Sequence, residues 1–466
     1  MKPKVQLLSK EEIELIHSQS LHLLQTKGIK YNSEMALHYL EEGGQEVDYT
    51  NLTAKISPDL VDKCLKLAPK LGEVRLCGRD KKYDKSLDGN KTHYNSEYGG
   101  RDVLDFENFE ARKYRAPTIN DLKRGATIAD ALDMVDIVWP AVTPLDCPPL
   151  LGTLYEQKIC LTYSAKHLQG EVRNLRQVPY TLEMLDAILG DRRRMKEEPI
   201  LSLVFDPISP LRWEKEMVEA TMEMAKHWAP VLVHSRPQPG ITSPIRPAGT
   251  LLQGNAEVLS GIVLLQLVQP GLPVVHSVTG TCSDMHSGSA IGGQPLEILL
   301  QSAAVELARF YNLPTWQWNT SCLVQPDITS GLGDYNNGLT LFLERFIIDA
   351  ERFAMVDRIH KGINVTSEHL MRDVIERVAF EESFLKEITT RNFWREEYFV
   401  TALGEEGLYD LLGGMTERSC SSKEMLQIAH EKVEYILATH QVDPPLPNNV
   451  MKEMESIIKR AQKDLV

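Results

Sequence analysis

The feature that most constrains the fold is a repeated alternation of short β-rich runs with amphipathic helical stretches from about residue 134 onward. The β-rich runs span residues 134–139, 166–170, 200–205, 231–234, 273–278 and 314–318. Repeated β-then-α units of this length imply parallel strands joined by right-handed crossovers. Six such units in one run favour a closed TIM-type (β/α)8 barrel, with a doubly wound α/β sheet as the alternative.

The predicted barrel is flanked by further regions on both sides. Near the N-terminus, Ser9 and Glu12 have the spacing of a capping box before a run of helical periodicity. After residue 339 the spacing of apolar residues is mostly helical. We therefore predict an N-terminal helical and strand extension packed on the barrel over residues 1–133, the α/β barrel over 134–365, and a C-terminal helical region over 366–466.

Composition and charge limit the partners and the compartment. The 466-residue chain has a formal net charge of -14, which disfavours nucleic acid because phosphate binding needs a basic surface. The 7 cysteines are scattered and form no CxxC pair, so a reducing cytoplasm fits better than a disulfide framework. The longest apolar stretch, residues 258–268, is too short to span a membrane and is predicted to be a buried helix.

Aromatic and polar residues collect at the predicted strand ends, where barrels of this type carry their functional side chains. Together with two tyrosines of an earlier loop, they are Trp139, Lys166, His167, Phe205, Asp206, His234, Arg236, His276, Trp316, Trp318, Tyr94 and Tyr98. Only 7% of the residues are aromatic, so this clustering favours a cage for a quaternary ammonium ion, which is held by ring faces. The alternative is that Trp316 and Trp318 fill layers of the barrel interior.

Two further groups could carry chemistry. Glu257 lies on an otherwise apolar helix, where it could orient a histidine, steady a cation or form a structural ion pair. Cys282, Asp284 and His286 share one loop, but no other Cys/His pair completes a zinc site, so no bound metal is expected.

Several common motifs are absent from the sequence. It contains no GxGxxG after a strand, no P-loop, no GxSxG and no HExxH. This removes the usual dinucleotide-binding, nucleoside-triphosphate, serine-hydrolase and metalloprotease functions.

The stretch 246–261, which contains Gly254, Asn255 and Glu257, resembles the trimethylamine methyltransferase family, and segments 269–274 and 307–314 fit the same family. The resemblance implies a TIM barrel that transfers methyl groups from methylated amines to the Co(I) form of a corrinoid protein. One branch of the family uses pyrrolysine. The larger branch lacks it, as this sequence does, and demethylates quaternary amines such as glycine betaine, proline betaine and carnitine.

One segment departs from the family pattern. The closest match to the pyrrolysine segment is residues 324–327, and family members usually have a helix between it and the next Gly-rich strand end. Here Gly331 follows almost at once, which leaves open how the barrel closes and what Gln325 and Asp327 do.

The resemblance and the aromatic cluster together predict a cytoplasmic, homo-oligomeric methyltransferase that demethylates a small quaternary amine. The acceptor would be a Co(I) corrinoid supplied by a partner corrinoid protein. A quaternary amine leaves as a neutral tertiary amine and needs no general acid, so the protein must hold one methyl in line and exclude water. The alternatives are a zinc-dependent methyltransferase acting on a thiol and a non-catalytic betaine-binding protein.

Each candidate site residue has a predicted role in this reaction. The cage residues are Tyr94, Tyr98, Phe205, Trp316 and Trp318. Arg246, His276 or His167 would hold a substrate carboxylate, and Glu257 would act as an orienting group, with Glu257 and His276 as the catalytic candidates.

Overall fold

The structure is a computed structural model that describes residues 6–96, 99–283, 285–286, 294–317, 328–330, 340–363, 366, 368–369, 371–377, 387–397 and 422–466. Five residues singled out in the sequence lie outside these ranges, and their roles stay predictions: Tyr98, Asp284, Trp318, Gln325 and Asp327.

The described strands, in chain order, are β1 Ile29–Tyr31, β2 Glu46–Asp48, β3 Thr53–Lys55, β4 Arg75–Leu76, β5 Lys85–Ser86, β6 His93–Asn95, β7 Asp102–Leu104, β8 Tyr114–Arg115, β9 Ile137–Val138, β10 His167–Gly170, β11 Leu201–Phe205, β12 Arg212–Trp213, β13 Val231–Ser235, β14 Val274–Val278, β15 Trp316–Gln317, β16 Ile328–Ser330 and β17 Thr340–Leu341. The described α-helices are α1 Lys10–Thr26, α2 Glu34–Glu42, α3 Pro58–Leu67, α4 Ile119–Ala131, α5 Gly152–Tyr163, α6 Val178–Leu189, α7 Lys215–Ala225, α8 Pro247–Val268, α9 Pro295–Phe310, α10 Leu343–Lys361, α11 Arg372–Arg377, α12 Ile388–Glu397, α13 Ser422–Thr439 and α14 Asn448–Leu465.

A closed parallel barrel forms the centre of the fold. Its 8-stranded sheet has the order β14-β13-β11-β10-β9-β6-β16-β15. A parallel bridge between His276 and Thr315 joins β14 to the segment that enters β15 and closes the ring. The order of strands around the ring therefore follows the order along the chain, and the predicted TIM-type (β/α)8 fold is confirmed.

The barrel begins earlier in the chain than residue 134, where we predicted its start. Its first strand is β6, and Tyr94, which was expected in a loop, lies in the middle of that strand. The six strands predicted from the sequence overlap β9, β10, β11, β13, β14 and β15. Strand β6 has the sequence His93-Tyr94-Asn95, in which no β-branched residue and no run of apolar residues marks a strand. The division into three regions stays a prediction.

The amino-terminal end of the barrel is filled by the chain that precedes β6. Val74, Leu76 and Leu87 pack against the apolar side chains of the barrel interior, and β4 pairs with β5 as an antiparallel hairpin. Lys85 Nζ lies 2.7 Å from Asp136 Oδ1 and ties this hairpin to the segment before β9. Protein thus occupies this end, so a ligand is expected to approach from the carboxyl-terminal end.

Helix α8 is a core helix that lies directly on the barrel wall. A Cβ atom built on Gly254 would come within 2.6 Å of Val278 Cγ1, and one on Gly261 within 2.7 Å of Val233 Cγ1. Glycine at these two positions therefore allows close helix–strand packing. The helix is long and apolar enough to cross a membrane, but 83% of its most apolar window is buried inside the protein. The predicted buried helix is confirmed.

The N-terminal elements cover the outer face of α8. Helices α1, α2 and α3 all pack against it. The first of these helices begins with the predicted capping box, in which Ser9 and Glu12 each bond the other's backbone N–H. Strand β1 pairs in parallel with β12, which lies in the loop after β11, so the extension also holds a loop at the carboxyl-terminal end of the barrel.

The C-terminal helices pack on the opposite side of the barrel. Helix α13 lies against α10 and α4, and α14 lies against α5 and α6. Helix α14 buries Met454, Ile457 and Ala461 along one face. His440 Nε2 lies 2.8 Å from Asp130 Oδ2 and links the end of α13 to α4. These contacts make the described part of the C-terminal region a second layer over the barrel helices.

Candidate active site

The direction of each strand side chain decides which residues can meet a ligand in the barrel. Val204, Leu232 and Val275, on three neighbouring strands, belong to the cluster that fills the barrel interior. Successive side chains of a strand point to opposite faces. Asp206, His234 and Ser277, each two residues further along, therefore also face the interior, at the carboxyl-terminal end.

The described residues that converge at this end form what we call the mouth cluster. It consists of two tryptophans and five polar residues. The tryptophans are Trp139 and Trp316, and the polar residues are Asn95 on β6, Gln169 on β10, Asp206, His234 and Ser277. Asn95 Nδ2 donates a hydrogen bond to Gln169 Oε1 across β9, which places both amides inside the barrel.

His234 is held on both sides of its imidazole ring. Its Nε2 atom lies 2.6 Å from Thr279 Oγ1, and its Nδ1 atom lies 3.2 Å from Asp206 Oδ1. The second contact has the length of an ion pair but is not aligned as a hydrogen bond, so Asp206 Oδ1 keeps its accepting capacity. The Asp206 side chain is 34% exposed, whereas that of His234 is 2% exposed, so the carboxylate reaches toward solvent above the buried imidazole.

Two indole rings form the apolar part of the mouth cluster. The ring centroids of Trp139 and Trp316 are 5.8 Å apart at an interplanar angle of 56°. The His234 ring meets Trp316 edge-on, with centroids 4.9 Å apart. Ser96 Oγ accepts a hydrogen bond from the Trp139 backbone N–H at 2.8 Å and anchors that residue next to β6. Aromatic rings and a carboxylate thus lie in one small region.

Some polar atoms of the mouth cluster are buried without a hydrogen-bond partner. They include Asn95 Oδ1 and Ser277 Oγ, and both residues are 0% exposed. Most buried polar side-chain atoms in folded proteins have a partner, and an unpaired one needs an explanation. A ligand bound in the mouth would supply the missing partners.

Two of the predicted cage residues point away from the mouth. The Tyr94 ring stacks on Phe353 of α10 with centroids 4.4 Å apart, and the Phe205 ring stacks on Trp213 with centroids 4.0 Å apart. Phe205 is fully buried in the cluster that packs the barrel against its surrounding helices. The structure brings neither ring into the mouth cluster, because the next residues along the chain, Asn95 in β6 and Asp206 just after β11, take the interior positions.

His167 also lies away from the mouth. It is the first residue of β10 and therefore lies at the amino-terminal end of the barrel. Its Nδ1 atom is 3.0 Å from the Cys77 carbonyl oxygen and its Nε2 atom is 2.8 Å from Ser202 Oγ. Complete burial lowers the pKa of His167 to about 4, so the ring is neutral at pH 7. The structure therefore does not bring His167 to the end of the barrel where the mouth cluster lies.

His276 faces the helix layer. Its Nε2 atom lies 3.0 Å from Asn255 Oδ1 on α8, and Asn255 Nδ2 donates to the Tyr311 hydroxyl at 2.8 Å. Burial lowers the pKa of His276 to about 3. The structure thus places this neutral imidazole between strand and helix and does not bring His276 into the mouth cluster.

Glu257 acts on the loop that follows β11. Its carboxylate accepts hydrogen bonds from Ser209 Oγ at 2.8 Å, from the Leu211 backbone N–H at 2.7 Å, from Ser235 Oγ and from Gln253 Nε2 at 3.0 Å. The residue is 0% exposed. Hydrogen bonds thus offset the cost of burying this carboxylate. These bonds hold the loop that begins with Asp206. The role of Glu257 as an orienting group in the reaction stays a prediction.

The remaining predicted residues divide in two groups. Trp316 lies in the mouth cluster, at 1% exposure. Arg246 is an exposed N-cap residue of α8, on the loop that leaves β13 at the carboxyl-terminal end, and its substrate-binding role stays a prediction. The sequence had also marked Trp139, Asp206 and His234 as strand-end residues without giving them a role.

Asn95, Gln169 and Ser277 were missed altogether. The available signal was strand alternation: Gln169 and Ser277 lie two residues after positions that face the interior in β10 and β14. Asn95 could not be found in this way, because β6 itself was not recognised.

The loop after β14 does not bring a set of metal ligands together in its described part. No group of three or more His, Cys, Asp or Glu side chains with metal-binding geometry occurs among the residues that the structure describes. The backbone N–H of Cys282 donates to Glu297 Oε1 at 2.8 Å. Burial and the nearby Glu297 carboxylate raise the pKa of the Cys282 thiol to about 11. This environment disfavours the thiolate that zinc requires.

A closed (β/α)8 barrel with polar and aromatic side chains converging at the carboxyl ends of its strands is the arrangement of TIM-barrel enzymes. The chain belongs to the trimethylamine methyltransferase (MTTB) family, whose sequence profile matches residues 1–325 and 327–465. The resemblance inferred from the sequence is thereby confirmed.

Individual relatives cover nearly the whole chain. It is 28% identical to trimethylamine methyltransferase MttB of Desulfitobacterium hafniense, over 98% of this chain and 94% of the relative. It is 26% identical to a glycine betaine methyltransferase of the same species, over 99% of this chain and 98% of the relative. Among solved structures, the monomethylamine methyltransferase MtmB of Methanosarcina barkeri matches with a TM-score of 0.44 and 10% identity, over 99% of this chain and 95% of that chain.

Proposed function

We propose that this protein is a methyltransferase that moves a methyl group from a small quaternary amine to the Co(I) corrinoid of a partner corrinoid protein. The observation that carries the proposal is the mouth cluster, in which Trp139, Trp316 and Asp206 converge at the carboxyl-terminal end of the barrel. Membership of the trimethylamine methyltransferase family supports methyl transfer from an amine, and the glycine betaine relative supports a quaternary one.

The mouth cluster has the chemistry that a quaternary ammonium ion needs. Such an ion has no N–H to donate, and ring faces attract it by roughly 0.5–2 kcal/mol per ring, depending on how far water is excluded. Trp139 and Trp316 provide two rings. The Asp206 carboxylate adds a negative charge at the partly exposed side of the site. A permanently charged, methyl-bearing nitrogen therefore finds both dispersion contact and charge compensation.

The reaction asks little acid–base chemistry of the chain itself. Loss of a methyl group from a quaternary nitrogen leaves a neutral tertiary amine, so no proton has to be delivered to the leaving group. A reduced corrinoid supplies the Co(I) nucleophile when its carrier protein is bound. The mouth residues would hold one methyl group toward the opening of the barrel and keep water from the reacting centre. The filled amino-terminal end leaves the carboxyl-terminal end for the approach of the partner.

Several finer points of this function are proposals of the same kind. Glycine betaine, proline betaine and carnitine are the starting candidates for the substrate. Tyr98 and Trp318 would complete the cage, and Arg246 would lie at its rim. The protein would act in the cytoplasm, as a homo-oligomer, without nucleic acid, membrane or tightly bound metal.

The proposal is tested by supplying purified protein with reduced cobalamin and one quaternary amine at a time. Methylation of cobalt changes the absorption spectrum of the corrinoid, so transfer is followed directly. We expect transfer with at least one quaternary amine and a large loss of rate in Trp316→Leu. No transfer with any quaternary amine would defeat the proposal.

The two alternative functions give different results in the same experiment. An amine that binds calorimetrically but never methylates cobalt indicates a betaine-binding protein. Thiol methylation by a protein that binds one equivalent of zinc, with loss of the zinc in Cys282→Ser, indicates a zinc-dependent methyltransferase.

A further inference from the structure

We infer that the partner corrinoid protein binds one sector of the barrel rim, an exposed apolar surface centred on Ile245 and Met285. The inference deepens the proposed function and rests on it. That function requires a carrier at the carboxyl-terminal end of the barrel, but it does not say which loops the carrier contacts. The exposed side chains of the described loops point to those that follow β11, β13 and β14.

Four large apolar side chains make up this surface, which we call the rim patch: Ile208, Ile241, Ile245 and Met285. They lie in the loops after β11, β13 and β14, and these three strands are neighbours in the barrel. Each side chain is between 45% and 60% exposed. Loops at this end of a barrel carry binding residues, and an exposed apolar patch marks an interaction site. The rim patch is therefore a candidate surface for a protein partner.

Two of these side chains lie over the same glycine. A Cβ atom built on Gly240 would come within 3.0 Å of Ile245 Cδ1 and 3.2 Å of Met285 Cε. Gly240 has a φ of +82° and no side chain, which allows this close approach. Ile241 follows Gly240 directly and extends the surface. The centre of the rim patch is thus continuous across the loops after β13 and β14.

The loop after β13 is held in one conformation by hydrogen bonds. The carbonyl oxygen of Gln238 accepts from three successive backbone N–H groups, those of residues 241–243, at 3.0–3.1 Å. Gln253 Nε2 of α8 donates to the Thr242 carbonyl at 2.8 Å and to Glu257 Oε1 at 3.0 Å. Glu257 also holds the loop after β11. Both loops therefore share one anchor, and an ordered surface loses little conformational freedom when a partner binds.

The position of the rim patch favours the carrier as its occupant. The amino-terminal end of the barrel is filled by protein, so the cobalt has to reach the mouth cluster past the carboxyl-terminal rim. A carrier binds and leaves in every turnover, which suits a few exposed apolar side chains better than a large permanent interface. A second copy of this chain held on the same rim would close the opening that the carrier needs.

Charge beside the rim patch indicates the chemistry of the partner's surface. Arg236 and Arg246 are exposed at the two ends of the loop that carries Ile241 and Ile245. Charged groups at the edge of an interface steer a partner of opposite sign and contribute to specificity. We therefore expect the carrier to present a face that is apolar at its centre, with carboxylates at its edge.

The test measures methyl transfer to two acceptors: free reduced cobalamin and a reduced corrinoid carrier protein, drawn from a panel of such purified proteins. Free cobalamin has no protein surface, so only transfer to the carrier depends on docking. We expect Ile245→Asp and Met285→Asp each to raise the KM for the carrier about tenfold or more, because a charge replaces an apolar contact. Transfer to free cobalamin should change by less than about twofold.

Direct binding separates docking from chemistry. Calorimetry with the carrier, in the absence of amine, should show the same loss of affinity in both variants. The affinity for choline, used as a quaternary ammonium probe, should stay within about twofold of wild type, because the rim patch lies outside the mouth cluster. Arg246→Glu should also weaken carrier binding, and an equal loss of transfer to free cobalamin would contradict a docking role for Arg246.

Two equally exposed leucines provide matched controls. Leu15 is 59% exposed on α1, and Leu145 is 63% exposed in the loop after β9, at the same end of the barrel but outside the rim patch. Leu15→Asp and Leu145→Asp should leave the KM for the carrier within about twofold of wild type. A loss in Leu15→Asp equal to that in Ile245→Asp would contradict a specific surface, and an equal loss in Leu145→Asp would contradict the assigned sector.

The remaining outcomes decide between occupants. Unchanged carrier affinity in both Ile245→Asp and Met285→Asp overturns the inference, and so does a wild type that methylates free cobalamin but binds no carrier. A wild-type dimer in sedimentation that Ile245→Asp splits would assign the rim patch to a second copy. If the carrier binds and the variants weaken it, but no amine methylates cobalt, the proposed function fails while the docking surface stands.

Discussion

Trp139 follows β9 and Trp316 begins β15, two strands that are not neighbours in the barrel, yet their ring centroids are only 5.8 Å apart. The two indoles meet across the interior, where His234 also contacts Trp316 edge-on. Only barrel closure brings these residues together, since the chain separates them by most of the barrel. Five predictions follow from this arrangement and from the contacts that support it.

The two mouth tryptophans should contribute to cation binding. Leucine keeps apolar bulk but removes the ring face, so we expect Trp139→Leu and Trp316→Leu each to raise the Kd for choline by about 2- to 30-fold. Calorimetry gives the Kd. Trp228→Leu is the control, because that ring lies under Lys196 Nζ at 4.4 Å, outside the mouth cluster. Equal losses in all three variants would indicate general destabilisation.

Asp206→Asn should weaken binding of charged ligands selectively. Asparagine keeps the shape of the side chain and removes the charge. Since the carboxylate is 34% exposed, solvent screens it, and we expect the Kd for choline to rise about three- to tenfold. The neutral isostere 3,3-dimethylbutan-1-ol, which has carbon in place of nitrogen, should bind wild type and variant alike. A similar loss for both ligands would contradict the electrostatic role.

Glu257→Gln should destabilise the fold and disturb the mouth. The amide cannot accept from all the donors that surround Glu257, including the Leu211 backbone N–H at 2.7 Å. We expect the free energy of unfolding to fall by about 1–3 kcal/mol, with weaker amine binding because the loop carries Asp206. Urea unfolding and calorimetry measure both. Glu223→Gln is the control, because Glu223 of α7 pairs with Lys226 at a partly exposed position. It should change the free energy of unfolding by less than about 0.5 kcal/mol.

Buried neutral histidines should make the protein less stable in mild acid. Burial lowers the pKa of His167 to about 4 and that of His276 to about 3, whereas the unfolded chain has the ordinary value of 6.5. Between these values the unfolded state binds more protons, so the stabilising contribution is complete above pH 6.5 and is lost as the pH falls. Each histidine contributes a slope of up to about 1.4 kcal/mol per pH unit.

Urea unfolding at pH 7.5, 6.0 and 5.0 checks this slope. In His276→Gln, the stability should fall less steeply with decreasing pH than in wild type. His22→Gln, at an exposed position of α1, should keep the wild-type slope. If His276→Gln also kept it, the histidine would not be the source of the acid sensitivity.

Gly261→Ala should destabilise the contact between α8 and the barrel. Its Cβ would lie 2.7 Å from Val233 Cγ1 and 2.8 Å from Trp213 Cζ2, so strand or helix would have to shift. We expect a loss of about 1–3 kcal/mol in the free energy of unfolding. Gly152→Ala is the matched control, because its Cβ would meet only Thr143 Cγ2 at 3.4 Å. Equal stability of the two variants would show that α8 packs more loosely.

Much of the fold could be predicted from the sequence because its signals are local. The alternation of β-rich and helical segments predicts the barrel, the capping box of Ser9 and Glu12 marks the start of α1, and the apolar run 258–268 marks a core helix. Strand β6 was not recognised, because its sequence His93-Tyr94-Asn95 has no β-branched residue and only its pairing with β9 and β16 defines it.

The sequence by itself determined the family, the barrel and the end of the strands where the candidate site is predicted. Only the tertiary structure decided which of two adjacent residues faces the barrel interior: Asp206 rather than Phe205, Ser277 rather than His276, Asn95 rather than Tyr94. The reason is geometric. Side chains alternate with every residue, both faces of a barrel strand are buried, and composition therefore does not distinguish inside from outside. Register against neighbouring strands and helices settles it.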